Sequence, residues 1–251
     1  MNILLKQSLE IPTLKDCEKL VAENECFFCC DEVVDNTPIK SFNYRIALPK
    51  DFNQKYARNM RGIGFNANTS ELIFLPLHKF FNFEENEFTL KSIVSTWGKP
   101  KTITEKFDGS LIIFYMLNNK LFCRTQGNTF YKQEIWAMEK VNKNTEFKNS
   151  IISDILNGFT PMFEFVSYRN RIVVLYNDEK LMYIGHRNMT TGEFDRDTNK
   201  FKQFGIDSVT SYDVNTMSVK DLINVCKSSK ENREGFVVEF NNGEMIKMKT
   251  E

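Results

Sequence analysis

Turn signals cut this chain into short apolar runs, and that constrains its fold more than any other feature. Asp108-Gly109, Asn118-Asn119, Asn157-Gly158, Asn177-Asp178 and Asn241-Asn242-Gly243 each stand beside stretches rich in Val, Ile, Leu, Phe and Met. Asp-Gly and Asn-Gly pairs are hairpin signals, and short apolar runs bounded by them read as strands. Strands are expected at residues 25–34, 41–45, 58–65, 72–75, 111–116, 121–125, 162–166, 171–176, 181–184, 234–240 and 244–249. A helical spacing of apolar residues marks 14–24, 133–141, 150–156 and 219–227 instead. Hairpin-linked strands with a few helices between them make an α+β fold, mostly antiparallel sheets with flanking helices. No repeat, low-complexity segment or linker divides the chain. A single domain over residues 1–251 is expected, with a small N-terminal subregion over about 1–50.

Charge narrows the form that one class of function can take. Lys+Arg and Asp+Glu both number 33, so no global field announces nucleic acid, and any such site must be a local basic cleft. No run is long and apolar enough for a membrane span. Residues 1–15 carry charges and a proline where a signal peptide needs an apolar core, so a cytosolic chain is expected. Cys26, Cys29 and Cys30 form a C-x-x-C-C cluster that suggests zinc. However, the only histidines are His78 and His186, and no second pair lies at finger spacing. The apolar setting Cys26-Phe27-Phe28-Cys29-Cys30 points to buried free thiols.

Charged residues inside strands carry the functional signal. Lys106 precedes Asp108-Gly109 and is expected at a strand end beside a tight turn, on a rigid support. Glu164 interrupts the apolar run Met162-Phe163-Glu164-Phe165-Val166. A carboxylate buried there costs several kcal/mol unless paired or hydrogen-bonded, so it lines a polar cavity or caps a structural ion pair; the cavity is favoured. Glu234 opens a strand, and Lys247 and Lys249 sit two apart on the return strand, pointing to one face. Two cations there are either solvated or aimed at an anion. Lys79, among Phe80, Phe81 and Phe83, reads alone as a core-edge aromatic cluster with a lysine reaching solvent.

In that order, these residues resemble the motifs of the covalent nucleotidyltransferases, the polynucleotide ligases and RNA capping enzymes. Lys106-Phe107-Asp108-Gly109-Ser110 is similar to the nucleophile motif, Phe163-Glu164-Phe165 to the third, Glu234-Gly235-Phe236-Val237 to the fourth and Ile246-Lys247-Met248-Lys249 to the fifth. Ser41-Phe42-Asn43-Tyr44, Arg61-Gly62, Lys79-Phe80-Phe81-Asn82, Asn170-Arg171-Ile172-Val173 and Thr191-Gly192-Glu193-Phe194 resemble the phage RNA ligase 1 family, the tRNA-repair type, over roughly residues 15–250. That resemblance implies an ATP-dependent RNA ligase joining 5′-phosphate and 3′-hydroxyl RNA ends. Lys106 would carry AMP as a phosphoramidate. Lys247 and Lys249 would stabilise the transferring phosphate, and Arg61 and Lys79 would meet the β- and γ-phosphates. Glu164 and Glu234 would serve a Mg2+ ion, with Mn2+ able to substitute, and Glu164 would alternatively reach the ribose.

The resemblance has three departures. Phe42 stands where the family has a tyrosine near the nucleotide, which keeps ring stacking but not a hydroxyl contact. Gln126 replaces a lysine, with Arg124 nearby as a partial replacement of the charge. The chain ends two residues after Lys249, where the family continues into a C-terminal helical domain. The expectation is an adenylylation core without that domain, a monomer in the cytoplasm, or in the host cytoplasm for a phage or viral chain. A DNA ligase, a GTP-using capping enzyme, and a non-catalytic module holding nucleotide or RNA ends are the alternatives.

Overall fold

Thr13 starts the first helix. Its hydroxyl accepts the Asp16 N–H (3.3 Å) while Asp16 Oδ2 accepts the Thr13 N–H (2.9 Å), a reciprocal capping box. Helix α1 (Leu14–Glu23) then turns Leu14, Cys17 and Leu20 inward at three-residue spacing. The computed structural model describes residues 9–127, 132–168, 174–228 and 233–250.

Strands β1 (Phe27–Val34) and β2 (Thr37–Tyr44) pair about Asp35-Asn36, whose φ values of 46° and 62° are those of a type I′ turn. β3 (Ile63–Asn66) and β4 (Leu72–Phe74) complete a sheet of order β1-β2-β3-β4. The strand expected from residue 58 starts later, because Ala57–Asn59 forms a 3-10 turn that buries Arg58. Among the described residues Cys26, Cys29 and Cys30 are free thiols, as expected, but they are half-buried. The buried ones are Cys17, Cys123 and Cys226.

The second sheet has the order β11-β10-β9-β7-β8, from β7 (Ser110–Leu117), β8 (Lys120–Arg124), β9 (Phe159–Val166), β10 (Lys180–Asn188) and β11 (Phe194–Asp195). The unbroken apolar run in β7 has a direct cause. Ile112 and Phe114 pack under helices α3 (Lys132–Asn142) and α4 (Thr145–Leu156), while Ile113 and Tyr115 face the first sheet's Phe74 and Ile39. A strand covered on both faces has no solvent side to mark with polar residues. Asn118-Asn119, with φ of 48° and 61°, makes the expected hairpin from β7 to β8.

The third sheet has the order β12-β6-β13-β14-β5, from β5 (Phe81–Asn82), β6 (Pro100–Lys106), β12 (Ser211–Tyr212), β13 (Gly235–Phe240) and β14 (Met245–Lys249). Its outer face packs against helix α5 (Val219–Ser228) through Leu222 and Cys226. Among the described residues the strand pairs are antiparallel except β14 with β5, so the expected α+β, mostly antiparallel architecture is what the chain adopts.

One turn expectation fails. Phe107-Asp108-Gly109 does not make a hairpin: β6 lies in the third sheet and β7 in the second, so these residues step from one sheet to the other. The hairpin expected about Asn177-Asp178 has its first strand, residues 171–176, partly outside the described residues. Arg171, Ile172 and Val173 lie outside the described residues, and β10 pairs with β9 through Leu181↔Phe165 and Met182↔Glu164. Among the described residues no helix is long and apolar enough to cross a membrane.

Candidate active site

A cavity of about 290 Å³ opens between the second and third sheets. Both sheets supply its walls. From the third come Thr104, Lys106, Val237, Lys247 and Lys249, and from the second Leu111, Glu164 and Ile184. Arg61, Phe80, Gln126, Arg196, Val209 and Glu234 close the remainder.

Strand register explains why the charges converge. Across the third sheet Lys106 pairs with Gly235, and Gly235 with Lys249. One step down, Thr104 pairs with Val237, and Val237 with Lys247. Alternation within each strand then puts Lys106 with Thr104, and Lys249 with Lys247, on one face. Gly235 is required where these strands crowd, since a Cβ there would lie 2.0 Å from the Met248 carbonyl oxygen at a φ of +142°.

Glu234 sits between two of the cations. It pairs with the Lys106 amine, and its other oxygen lies 3.2 Å from Lys249 Nζ. The Lys106 side chain is 23% and that of Glu234 10% exposed, so this pair is more sheltered than an ordinary surface ion pair. Lys247 Nζ lies 4.9 Å from the centre of the Phe80 ring, and the Arg61 guanidinium lies 5.7 Å from the same ring. Burial, and then the charges of Arg61, Lys79 and Lys106, push the Lys247 amine from its usual 10.5 down to about 7.

Glu164 enters from the other side. Its Oε1 accepts the Gly109 N–H at 3.1 Å. Burial pushes its carboxyl up from 4.5 to about 7, with Lys106 opposing that shift and Glu234 adding to it. Of the two readings left open for this residue, the cavity wall is the one found. The sheet-to-sheet step is tightly held. Asp108 accepts the Val174 N–H through Oδ2 at 2.7 Å, and its own N–H donates to the Tyr176 hydroxyl at 2.9 Å. Gly109 passes so close to β9 that a Cβ would lie 2.4 Å from the Phe165 carbonyl oxygen. The glycine is there for close approach, not for a hairpin.

The cavity therefore brings together Lys106, Glu164, Glu234, Lys247, Lys249 and Arg61. Two sequence candidates lie elsewhere. Phe42 is fully buried in the N-terminal core, edge-on to Phe65 at 6.1 Å. Strand alternation turns its neighbour Asn43 the other way, and the Asn43 amide donates to the Gln126 carbonyl at 3.1 Å. Lys79 lies outside the cavity wall, its amine 4.9 Å from the Phe81 ring centre and 5.4 Å from those of Tyr44 and Phe52. Arg124 does not replace the missing charge at Gln126. It is wholly buried, pairs with Glu32 and stacks over Phe74 at 4.7 Å. Sequence reasoning missed Thr104 and Arg196 altogether. Arg196 stands between two aspartates in Asp195-Arg196-Asp197, a pattern that reads as solvated surface.

The donor set suits a hard divalent cation that keeps much of its water. Glu164 and Glu234 offer carboxylate oxygens to the cavity, and among the described residues no cluster of three or more acid, His or Cys ligands provides a full cage.

A family model described as RNA ligase matches residues 59–251. A Thermovibrio ammonificans protein named as an RNA ligase is 27% identical over 182 residues, which is 72% of this chain and 46% of that protein. A protein of Autographa californica nuclear polyhedrosis virus, named as a bifunctional polynucleotide kinase/RNA ligase, is 27% identical over 232 residues, covering 83% of this chain and 32% of that one. The chain thus spans less than half the length of either relative. Among solved structures, an archaeal ATP-dependent RNA ligase covers 100% of this chain with 64% of its own, at a TM-score of 0.63 and 12% identity, a likeness of fold.

Proposed function

The chain belongs to this RNA ligase family, of the phage RNA ligase 1 type, and from that premise we propose that it is an ATP-dependent RNA ligase that carries AMP on Lys106. The observation that carries the proposal is the meeting of Lys106, Glu164, Glu234, Lys247, Lys249 and Arg61 at one cavity between two sheets. The residues 1–251 act as one nucleotidyltransferase domain, monomeric and cytoplasmic.

The chemistry runs in three displacements at phosphorus. In the first, the Lys106 amine gives up a proton and bonds to the α-phosphorus of ATP while the α–β bridging bond breaks, and pyrophosphate leaves with that electron pair. In the second, an oxygen of an RNA 5′-phosphate attacks the same phosphorus. The P–N bond breaks, Lys106 regains a proton, and AMP is joined to the RNA end. In the third, an RNA 3′-hydroxyl loses its proton and attacks the 5′-phosphorus, forming the phosphodiester and expelling AMP. Lys247 and Lys249 face the phosphate throughout and match its growing charge. Arg61 meets the outgoing phosphates, and Lys79 serves them from beyond the cavity wall. Glu164 and Glu234 would hold a Mg2+ ion, or Mn2+ in its place, which when bound neutralises phosphate charge.

Intact mass after exposure to ATP and Mg2+ tests this directly. The wild-type protein gains one AMP moiety, and Lys106→Ala gains none. No adduct on the wild type, or an undiminished adduct on the variant, would falsify the assignment. Sealing of RNA ends rather than nicked DNA, and labelling by ATP rather than GTP, separate the ligase from its DNA-joining and capping alternatives.

A further inference from the structure

Arg196 is a cation at the cavity wall without an ion-pair partner among the described residues; the acid whose charge acts on it, Glu239, is itself paired with Lys101. Its Nε–H donates to the Ile184 carbonyl (2.7 Å) and an Nη1–H to Thr104 Oγ1 (2.5 Å), so partners on β10 and β6 fix the guanidinium in place. The Phe194 ring supports it from 5.0 Å. The aspartates on either side turn away. Asp195 lies 3.5 Å from His186 Nε2, and Asp197 accepts the Asn199 N–H at 2.9 Å. Among the described residues no carboxylate comes within ion-pair distance of Arg196. A guanidinium has five N–H groups, so about three are left for whatever fills the cavity.

Its position within the cavity is set by register. Arg196 touches Thr104 on β6, and the row through Thr104 crosses Val237 on β13 to Lys247 on β14. Two strand spacings, roughly 9–10 Å, therefore separate the arginine's end of the cavity from the lysine's. Lys106, Glu234 and Lys249 occupy the neighbouring row. A nucleotide with its α-phosphorus at Lys106 and its outer phosphates toward Lys247 and Arg61 directs its base toward Arg196. The side chains about that end are Leu111, Ile184, Val209 and Val237, apolar walls for a flat ring.

We propose that Arg196 contacts the nucleobase, donating from its guanidinium to an acceptor nitrogen of the adenine ring, and so positions the nucleotide in the reaction proposed above, on which this inference rests. A donor-only guanidinium between apolar walls can give a hydrogen bond to a ring acceptor, and its place two strands away from Lys247 sets it apart from the lysines that face the phosphates in the proposed reaction.

The test is a cycle between the side chain and single atoms of the base. Adenylylation of Lys106 is measured with ATP and with its 1-deaza, 3-deaza and 7-deaza analogues, for the wild type, Arg196→Met and Arg196→Lys. The wild type should lose about 10- to 100-fold in kcat/KM with one of the three analogues, the loss expected for one charge-assisted hydrogen bond. Arg196→Met should lose a similar factor with ATP and nothing further with that analogue, and Arg196→Lys should recover part of the activity with ATP. A side chain that only supports the fold would lower all four substrates equally, and that result would overturn the inference. So would a wild type indifferent to all three analogues, a comparison that needs no variant to fold. Failure of the wild type to take up AMP at all would sink the ligase reading and this inference with it. Label that forms normally, with the same analogue sensitivity retained in Arg196→Met, removes this inference alone.

Discussion

Polyanion binding at this cavity should take up a proton from solvent, and Lys247 is the reason. Its amine, held near 7 by burial and by Arg61, Lys79 and Lys106, is about one-tenth protonated at pH 8 in the free protein. A bound triphosphate supplies the negative charge that the site lacks and returns the amine toward its usual 10.5, so it becomes almost fully protonated. The expected uptake is about 0.9 proton per nucleotide at pH 8, and Lys247 contributes less at pH 6.5, where the free amine is already largely charged. Glu164, pushed up to about 7, holds only about one-tenth of a proton at pH 8 and can offset little of this. Titration calorimetry with a non-transferable ATP analogue, in buffers of different ionisation enthalpy, reads the number from the slope of heat against buffer enthalpy. Lys247→Met should bring the slope close to zero. A flat slope in the wild type, or an unchanged slope in the variant, would refute the reasoning.

Other perturbations follow from the same geometry. Because the folded-state value of Lys247 is depressed, its contribution to stability is complete above 10.5 and is lost as pH falls through about 7. Lys247→Met should therefore stabilise the free protein at pH 7 by on the order of 3 kcal/mol in denaturant titrations, and by progressively less as pH rises toward 10.5. Glu164 is raised, so its contribution is present below 4.5 and lost as pH rises through about 7; Glu164→Gln should flatten that part of the stability–pH curve. Arg58 donates from Nη1 to both Glu244 oxygens at 3.0 and 2.9 Å, with both side chains buried, so Glu244→Gln should cost about 3–5 kcal/mol of unfolding free energy. Gly109→Ala forces the 107–109 step off β9 and should reduce AMP transfer at least about 100-fold, read by the rate of adduct formation.

Much of the architecture was legible from local chemistry. The Asn118-Asn119 and Asn241-Asn242-Gly243 turns announced their hairpins because left-handed backbone favours Asn and Gly. Lys247 and Lys249 announced their common face through strand alternation. Asp108-Gly109 misled for a physical reason. The same dipeptide that makes a hairpin also serves where a side chain cannot fit against a neighbouring strand, and only the neighbour, Phe165, distinguishes the two. Phe42 misled because a phenylalanine on a half-covered sheet can face either side, and its pairing with Ile63 in the core is a long-range fact. Arg196 left no local trace at all. Its role depends on Thr104 and Ile184, which are distant in the chain and send no periodic signal.

The salt formed by Glu234 with Lys106 and Lys249 also governs what the cavity will ignore. A stray phosphate drifting in alone meets two lysines tethered to one carboxylate, and must compete with that carboxylate to reach them. A ligand that arrives with its own divalent cation gives Glu234 somewhere else to go and frees both amines in the same exchange. In the function proposed above, the carboxylate would keep the Lys106 amine occupied until a metal-laden guest releases it.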